Sequence, residues 1–122
     1  MIENEISVKS RHLGNRIVKL HKYLIKKKEY TISTQVLRSG TSIGANIIEG
    51  IYAQSRADFI SKYSIALKEC AETIYWLQIL HDNSYIQDKE FDSIYSETEE
   101  MLKILISSVN TAKKNLQESK MK

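Results

Sequence analysis

Apolar side chains recur along this chain three and four residues apart, with polar residues filling the gaps. Leu13, Ile17, Leu20 and Leu24 are spaced four, three and four. That puts them on one face of a helix over about residues 10–29, with Ser10 as the expected N-cap. A second segment, about 31–53, carries two adjoining rows. One is Ile32, Val36, Ser39, Ile43, Asn46 and Gly50; the other is Leu37, Gly40, Gly44, Ile47 and Ile51. The β-branched run around Thr41–Ile48 would suit a strand in isolation. Its period is nearer 3.5 than 2, because Ile43, Ile47 and Ile51 follow one another four residues apart, so a helix is expected. Each of its three glycines costs about 1 kcal/mol relative to alanine in a helix interior. Tight packing against a neighbour must offset that cost.

The third segment, about 55–82, places Tyr63, Ala66, Cys70, Thr73, Leu77 and Leu80 in strict three-four alternation, with Ile60, Leu67 and Ile74 on an adjoining face. Two stripes are more than one bundle face requires. They predict either a deeply buried helix or a subunit interface. The fourth, about 88–116, sets Phe91, Ile94, Thr98, Met101, Leu105, Ser108 and Ala112 at heptad spacing, and residues 117–122 read as a frayed tail. Long helices with short loops give antiparallel neighbours. The expected fold is all-α: an antiparallel up-and-down four-helix bundle, one domain over residues 1–122.

Composition agrees. An average chain of 122 residues would hold roughly six prolines and eight or nine glycines. This one has no proline and four glycines. A β-sandwich with a turn every ten residues is poorly served by so few turn residues. A hydrophobic content of 42% and a charged content of 27% are enough for a core and a solvated surface. The single cysteine, Cys70, excludes an intrachain disulfide, and the N-terminus is acidic rather than signal-like. With no apolar run long enough to cross a bilayer, a cytoplasmic protein without membrane partners is expected.

Within the second segment, Gln35 and Arg38 are followed by Ser42, Ile43, Asn46, Ile47, Glu49 and Gly50. This block resembles the signature of the four-helix-bundle proteins also called 23S rRNA intervening-sequence proteins. Ser55, Asp58, Phe59, Ile65, Ala66, Glu69, Glu72, Leu77, Tyr85 and Ile86 continue the resemblance, which spans roughly residues 10–116. One departure is Gly44, where many relatives have proline; this chain retains the amide that proline lacks, which predicts one long, tightly packed second helix. The resemblance implies a left-handed bundle, a self-associating chain that forms a ring-shaped homopentamer, and no established enzymatic activity. Through a related accessory protein of diversity-generating retroelements, it also implies nucleic acid and a reverse transcriptase as partners.

Charge sharpens this. Lys9, Arg11, Arg16, Lys19, Lys22, Lys26, Lys27 and Lys28 are eight cations with no carboxylate among them, whereas 88–100 holds six carboxylates against Lys89. A basic helix of this kind is a candidate phosphate-contacting surface for RNA or DNA backbone. With only Tyr23 among the aromatics of that helix, a base-stacking platform is not expected. The bland alternative is a solvated face whose cations pair with the acidic start of the fourth helix.

Gln35, Arg38, Ser42, Glu49, Tyr52 and Arg56 form a polar line, while Asn46 falls in an apolar row. Asn46 and Glu49 are either a recognition site or structural. In the structural reading Asn46 is a buried hydrogen-bonding residue that fixes register, and Glu49 pairs with Arg38 or Arg56. Glu69 and Glu72 invite comparison with di-iron bundles, but those need paired Glu-x-x-His motifs, which are absent here. No metal, no cofactor and no catalytic residue is expected. Cys70 and Trp76 read as packing residues. Three functions are therefore ranked: a non-enzymatic oligomeric bundle binding nucleic-acid backbone, a protein-interaction adaptor such as a reverse-transcriptase accessory subunit, and, last, a metal-dependent enzyme.

Overall fold

The computed structural model describes residues 4–121, which form α1 (Glu5–Lys26), α2 (Thr31–Ile51), α3 (Arg56–Asp82) and α4 (Asp88–Lys120). Contacts between named pairs fix their directions. Along α1 and α2, Ser10 meets Gly44, Ile17 meets Gly40 and His21 meets Ser33. Along α2 and α3, Arg38 reaches Glu72 and Gly50 faces Tyr63. Cys70 lies against Thr98 and His81 against Asp88 between α3 and α4. Lys9, His12 and Arg16 meet Glu100, Glu97 and Ser93 between α1 and α4. In every pair the numbers rise on one helix and fall on the other, so the bundle is antiparallel and up-and-down.

The core follows the heptad pattern. Leu13, Ile17 and Leu24 from α1, Val36, Ile43 and Ile47 from α2, Ala66, Cys70, Leu77 and Leu80 from α3, and Leu105 from α4 are fully buried. The expected α3 row is buried in full, Tyr63 and Thr73 included. Its second row, Ile60, Leu67 and Ile74, is half-buried. In α2, Ile32, Leu37, Gly44, Asn46 and Ile51 are only half-buried, Gly40 and Ile47 are buried as their row predicts, and Ser33, outside both rows, is buried too.

The tight packing expected of α2 is present. A Cβ on Gly40 would stand 2.8 Å from two side-chain carbons of Ile17, and one on Gly50 would stand 2.5 Å from the Tyr63 ring. Neither contact survives a methyl group without displacement. α2 is unbroken through Gly44, as the retained amide predicts. Between α2 and α3, Thr73 Oγ1 donates to Ser39 Oγ at 2.9 Å, a buried polar link in which both hydroxyls find a partner.

The helix ends differ from the sequence reading in instructive ways. α1 starts five residues before the expected position 10, because Asn4 caps it: Asn4 Oδ1 accepts from the Ser7 amide at 2.9 Å, and Ser7 Oγ accepts from the Asn4 amide at 3.0 Å. This is a capping box built from Asn and Ser. Ser10, expected at the cap, is instead buried and donates to the Ser7 carbonyl at 2.9 Å. At the other end Lys28 adopts φ 64°, the Lys28 amide donates to Ile25 and the Glu29 amide to Leu24, which stops α1 at Lys26. The α3 terminus repeats this closure with Ser84 at φ 66°. The fourth helix does not fray at 117; it runs to Lys120, while Lys122 lies outside the described residues.

Candidate nucleic-acid interface

The eight cations around α1 separate into groups with different surroundings. About two turns of α1, from Lys9 to Arg16, face α4 across the seam. There Lys9 Nζ is ion-paired with Glu100, Arg16 Nη1 stands 2.7 Å from Glu97 Oε1, and Arg16 Nη2 donates to Ser93 Oγ at 3.0 Å. His12 Nδ1 stands 2.7 Å from the other Glu97 oxygen. Partial burial by itself would push the Glu97 carboxyl up, but the His12 and Arg16 donors outweigh it and hold the group below the ordinary carboxylate value. Lys9 is held above its ordinary value, chiefly by its hydrogen bond to Glu100. Arg11 is exposed on the same half of α1.

Toward the other end the environment changes. Lys19, Lys22, Lys26, Lys27 and Lys28 are all exposed, and among the described residues no carboxylate stands within ion-pair distance of any of them. Lys27 Nζ sits 5.5 Å from the centroid of the Tyr23 ring, a cation–π contact on the surface. Tyr30, also exposed, follows in the loop into α2. Lys26, Lys27 and Lys28 stand at the C-terminus of α1, where the helix dipole favours positive charge, and Lys22 and Lys19 stand one and two turns before it. That end of the α1–α4 seam also holds a groove with Leu20, Ile86 and Ile94 among its lining and Lys19 and Glu90 on opposite walls.

Several signature residues of α2 make contacts within the bundle. Arg38 Nη1 stands 3.0 Å from Glu69 Oε2, and Arg38 Nη2 is paired with Glu72, whose Oε1 also accepts from Trp76 Nε1 at 3.2 Å. One arginine thus clasps two carboxylates one turn apart on α3. The Glu72 carboxyl, pushed up by its partial burial, is held below its ordinary value by the Arg38 and Trp76 donors. This overturns the expected pairing of Glu49: Arg38 is committed to α3, Arg56 donates to the Asn115 carbonyl at 3.3 Å, and Glu49 is exposed. Asn46 is corrected as well. It is half-buried and donates to the Ser42 carbonyl of its own helix at 2.9 Å, so it does not set register between helices by that bond. Ser42 Oγ in turn donates to the Arg38 carbonyl at 2.6 Å, Gln35 is half-buried, and Gly50 admits the Tyr63 ring.

The remaining chemical candidates take structural positions. Cys70 is fully buried, its Sγ donates to the Thr98 carbonyl at 3.4 Å, and burial pushes the thiol up to about 12. Little thiolate forms at neutral pH under those conditions. Trp76 packs edge-on against Tyr75. Among the described residues no group of three or more His, Cys, Asp and Glu side chains is placed to hold a metal ion, and no helix is long and apolar enough to cross a membrane.

Fold and surface together define an all-helical, antiparallel four-helix bundle whose first helix carries an exposed cationic end. The chain belongs to the 23S rRNA-intervening sequence protein family, whose model matches residues 3–107. A crystal structure of a protein of unknown function from the S23 ribosomal protein family of Bacteroides thetaiotaomicron VPI-5482 is similar at 50% identity and a TM-score of 0.84. The match covers 85% of this chain and 97% of that one. No match is found among curated proteins.

Proposed function

We propose that this protein is a non-enzymatic, cytoplasmic binder of RNA or DNA backbone, and that the contact surface is the exposed end of α1. The observation that carries this reading is the division of the basic helix. Lys9 and Arg16 are matched by Glu100 and Glu97, whereas the five lysines from Lys19 to Lys28 have no carboxylate within ion-pair distance among the described residues. Five ammonium groups without an ion-pair partner among the described residues suit phosphate oxygens, which are read by charge and shape rather than by base identity. The family's description, which ties it to sequences intervening in 23S rRNA, agrees with RNA as the polyanion. Association into a homo-oligomer, in the form of a pentameric ring, would multiply the surface. The half-buried second row of α3 is available to such an assembly.

Binding of a labelled RNA hairpin across a salt series tests the reading. Each phosphate contact contributes a slope of about −0.7 to −0.9 in log K against log salt, so five contacts predict a slope near −4. Absence of binding at low salt, or binding indifferent to salt, would sink it. Light scattering reports the assembly, and a clean monomer at micromolar concentration contradicts the ring.

A second reading, an adaptor that docks a protein such as a reverse transcriptase, is favoured by the groove at the end of the α1–α4 seam, which offers Leu20, Ile86 and Ile94 between a basic and an acidic wall. Saturable binding of a protein partner without any affinity for RNA would select it.

A further inference from the structure

α4 outruns the bundle. It has 33 residues, against 22 in α1, 21 in α2 and 27 in α3. Its last buried residue is Val109. The stretch from Asn110 to Lys120 continues the helix for about 16 Å at 1.5 Å per residue. It also lies beyond the 3–107 region that matches the family. Ala112 and Leu116 are half-buried, and Arg56 Nη1 at the start of α3 donates to the Asn115 carbonyl at 3.3 Å, so one side of this arm is fastened to the bundle as far as Leu116.

The exposed side chains of the arm are chemically one-sided. Lys113, Lys114 and Lys120 stand with Asn110, Thr111 and Gln117, and Glu118 is the one carboxylate in the stretch. Among the described residues no carboxylate stands within ion-pair distance of the three lysines. The helix dipole accounts for Lys120, in the last turn. It does not account for Lys113 and Lys114, nearly two turns earlier, because the dipole's influence fades within the last turn. Lysine with amide and hydroxyl donors, few acids and no aromatic ring is the side-chain set that contacts phosphate and sugar. A membrane-bound helix would instead expose an apolar face. Here Ala112 and Leu116, the apolar residues of the arm, are the ones partly covered.

We infer that the arm of α4 is a second nucleic-acid backbone contact, at the end of the bundle opposite the α1 lysines. It rests on the reading of the protein as a nucleic-acid binder and extends it. Because α1 and α4 are antiparallel, Lys19–Lys28 and Lys113–Lys120 mark the two ends of one bundle, separated by the seam where Lys9 and Arg16 are neutralised. A bound strand therefore lies along the bundle or is held at two separated points.

The test compares wild type with Lys113→Gln/Lys114→Gln/Lys120→Gln, which keeps helix propensity nearly unchanged. Anisotropy of a labelled RNA hairpin is followed from about 50 to 200 mM salt, the range over which phosphate contacts lose most affinity. The variant's slope is expected to fall short of wild type by about 2 to 3, one increment of 0.7–0.9 per lost contact. Wild-type binding with the same slope in the variant overturns the arm and leaves the α1 surface standing. No binding by wild type overturns both. A variant that loses affinity for phosphatidylserine vesicles but not for RNA reassigns the arm to lipid and overturns the inference.

Discussion

Arg16 on α1 and Glu97 on α4 meet at 2.7 Å with both side chains about three-quarters to two-thirds covered, and His12 closes on the other carboxylate oxygen. This contact makes half of the basic helix a structural element. It joins the third and fourth turns of α4, where Glu97 and Glu100 lie, to Arg16 and Lys9 of α1, and among the described residues the later lysines have no carboxylate within ion-pair distance.

Removing the Glu97 charge should loosen the seam. Glu97→Gln is expected to lower stability by about 1 kcal/mol at neutral pH, a typical value for a partly screened ion pair. Because the folded carboxyl is held below its ordinary value of 4.5, this contribution is fully present above 4.5 and is lost as pH falls through the lowered folded value. Denaturant melts of wild type and variant should therefore converge as pH is lowered below 4.5. A stability difference that persists unchanged in acid contradicts the assignment.

Two glycines in helices should respond in opposite directions to alanine. At Gly50 the added methyl meets the Tyr63 ring, so Gly50→Ala is expected to destabilise by about 1–3 kcal/mol, the range for overpacking. At Gly14 a Cβ meets nothing within 4 Å, so Gly14→Ala should stabilise by about 0.5–1 kcal/mol through helix propensity alone. Thermal melting of the two variants measures both signs.

Ser84 holds φ 66° at the end of α3, a conformation glycine adopts without strain. Ser84→Gly is expected to be neutral to stabilising, up to about 1 kcal/mol, despite glycine's extra freedom in the unfolded chain. Ser84→Val, with a β-branched side chain at the same angle, should lower the melting temperature.

Periodicity made the interior legible, because a buried face must recur every three to four residues. Tyr63, Ala66, Cys70, Thr73, Leu77 and Leu80 are all buried as the pattern predicts. Helix ends depend on local hydrogen bonds that carry weaker patterns. The Asn4–Ser7 box is visible in the sequence but lacks the usual acidic residue, and Lys28 closes α1 where a glycine would have announced it. The polar signature was harder. Its residues share a line on α2, yet Arg38 answers to Glu69 and Glu72, more than thirty positions away. Which carboxylate an arginine meets is set by how the helices are rotated about their axes, and spacing on one helix says nothing of that. The basic helix was legible as charge, but its division was not, since only packing shows that Lys9 and Arg16 face α4.

The central claim is that position, and not net charge, makes the exposed end of α1 the contact surface. Two triple variants with the same change in charge separate these ideas: Lys26→Glu/Lys27→Glu/Lys28→Glu on α1, and Lys62→Glu/Lys68→Glu/Lys103→Glu on α3 and α4. Anisotropy of a labelled RNA hairpin at low salt is the direct measurement. The α1 variant is expected to bind much more weakly and to lose about 2 to 3 of the salt slope, while the other retains most of both. Equal weakening in the two variants, or full binding by the α1 variant, would contradict it.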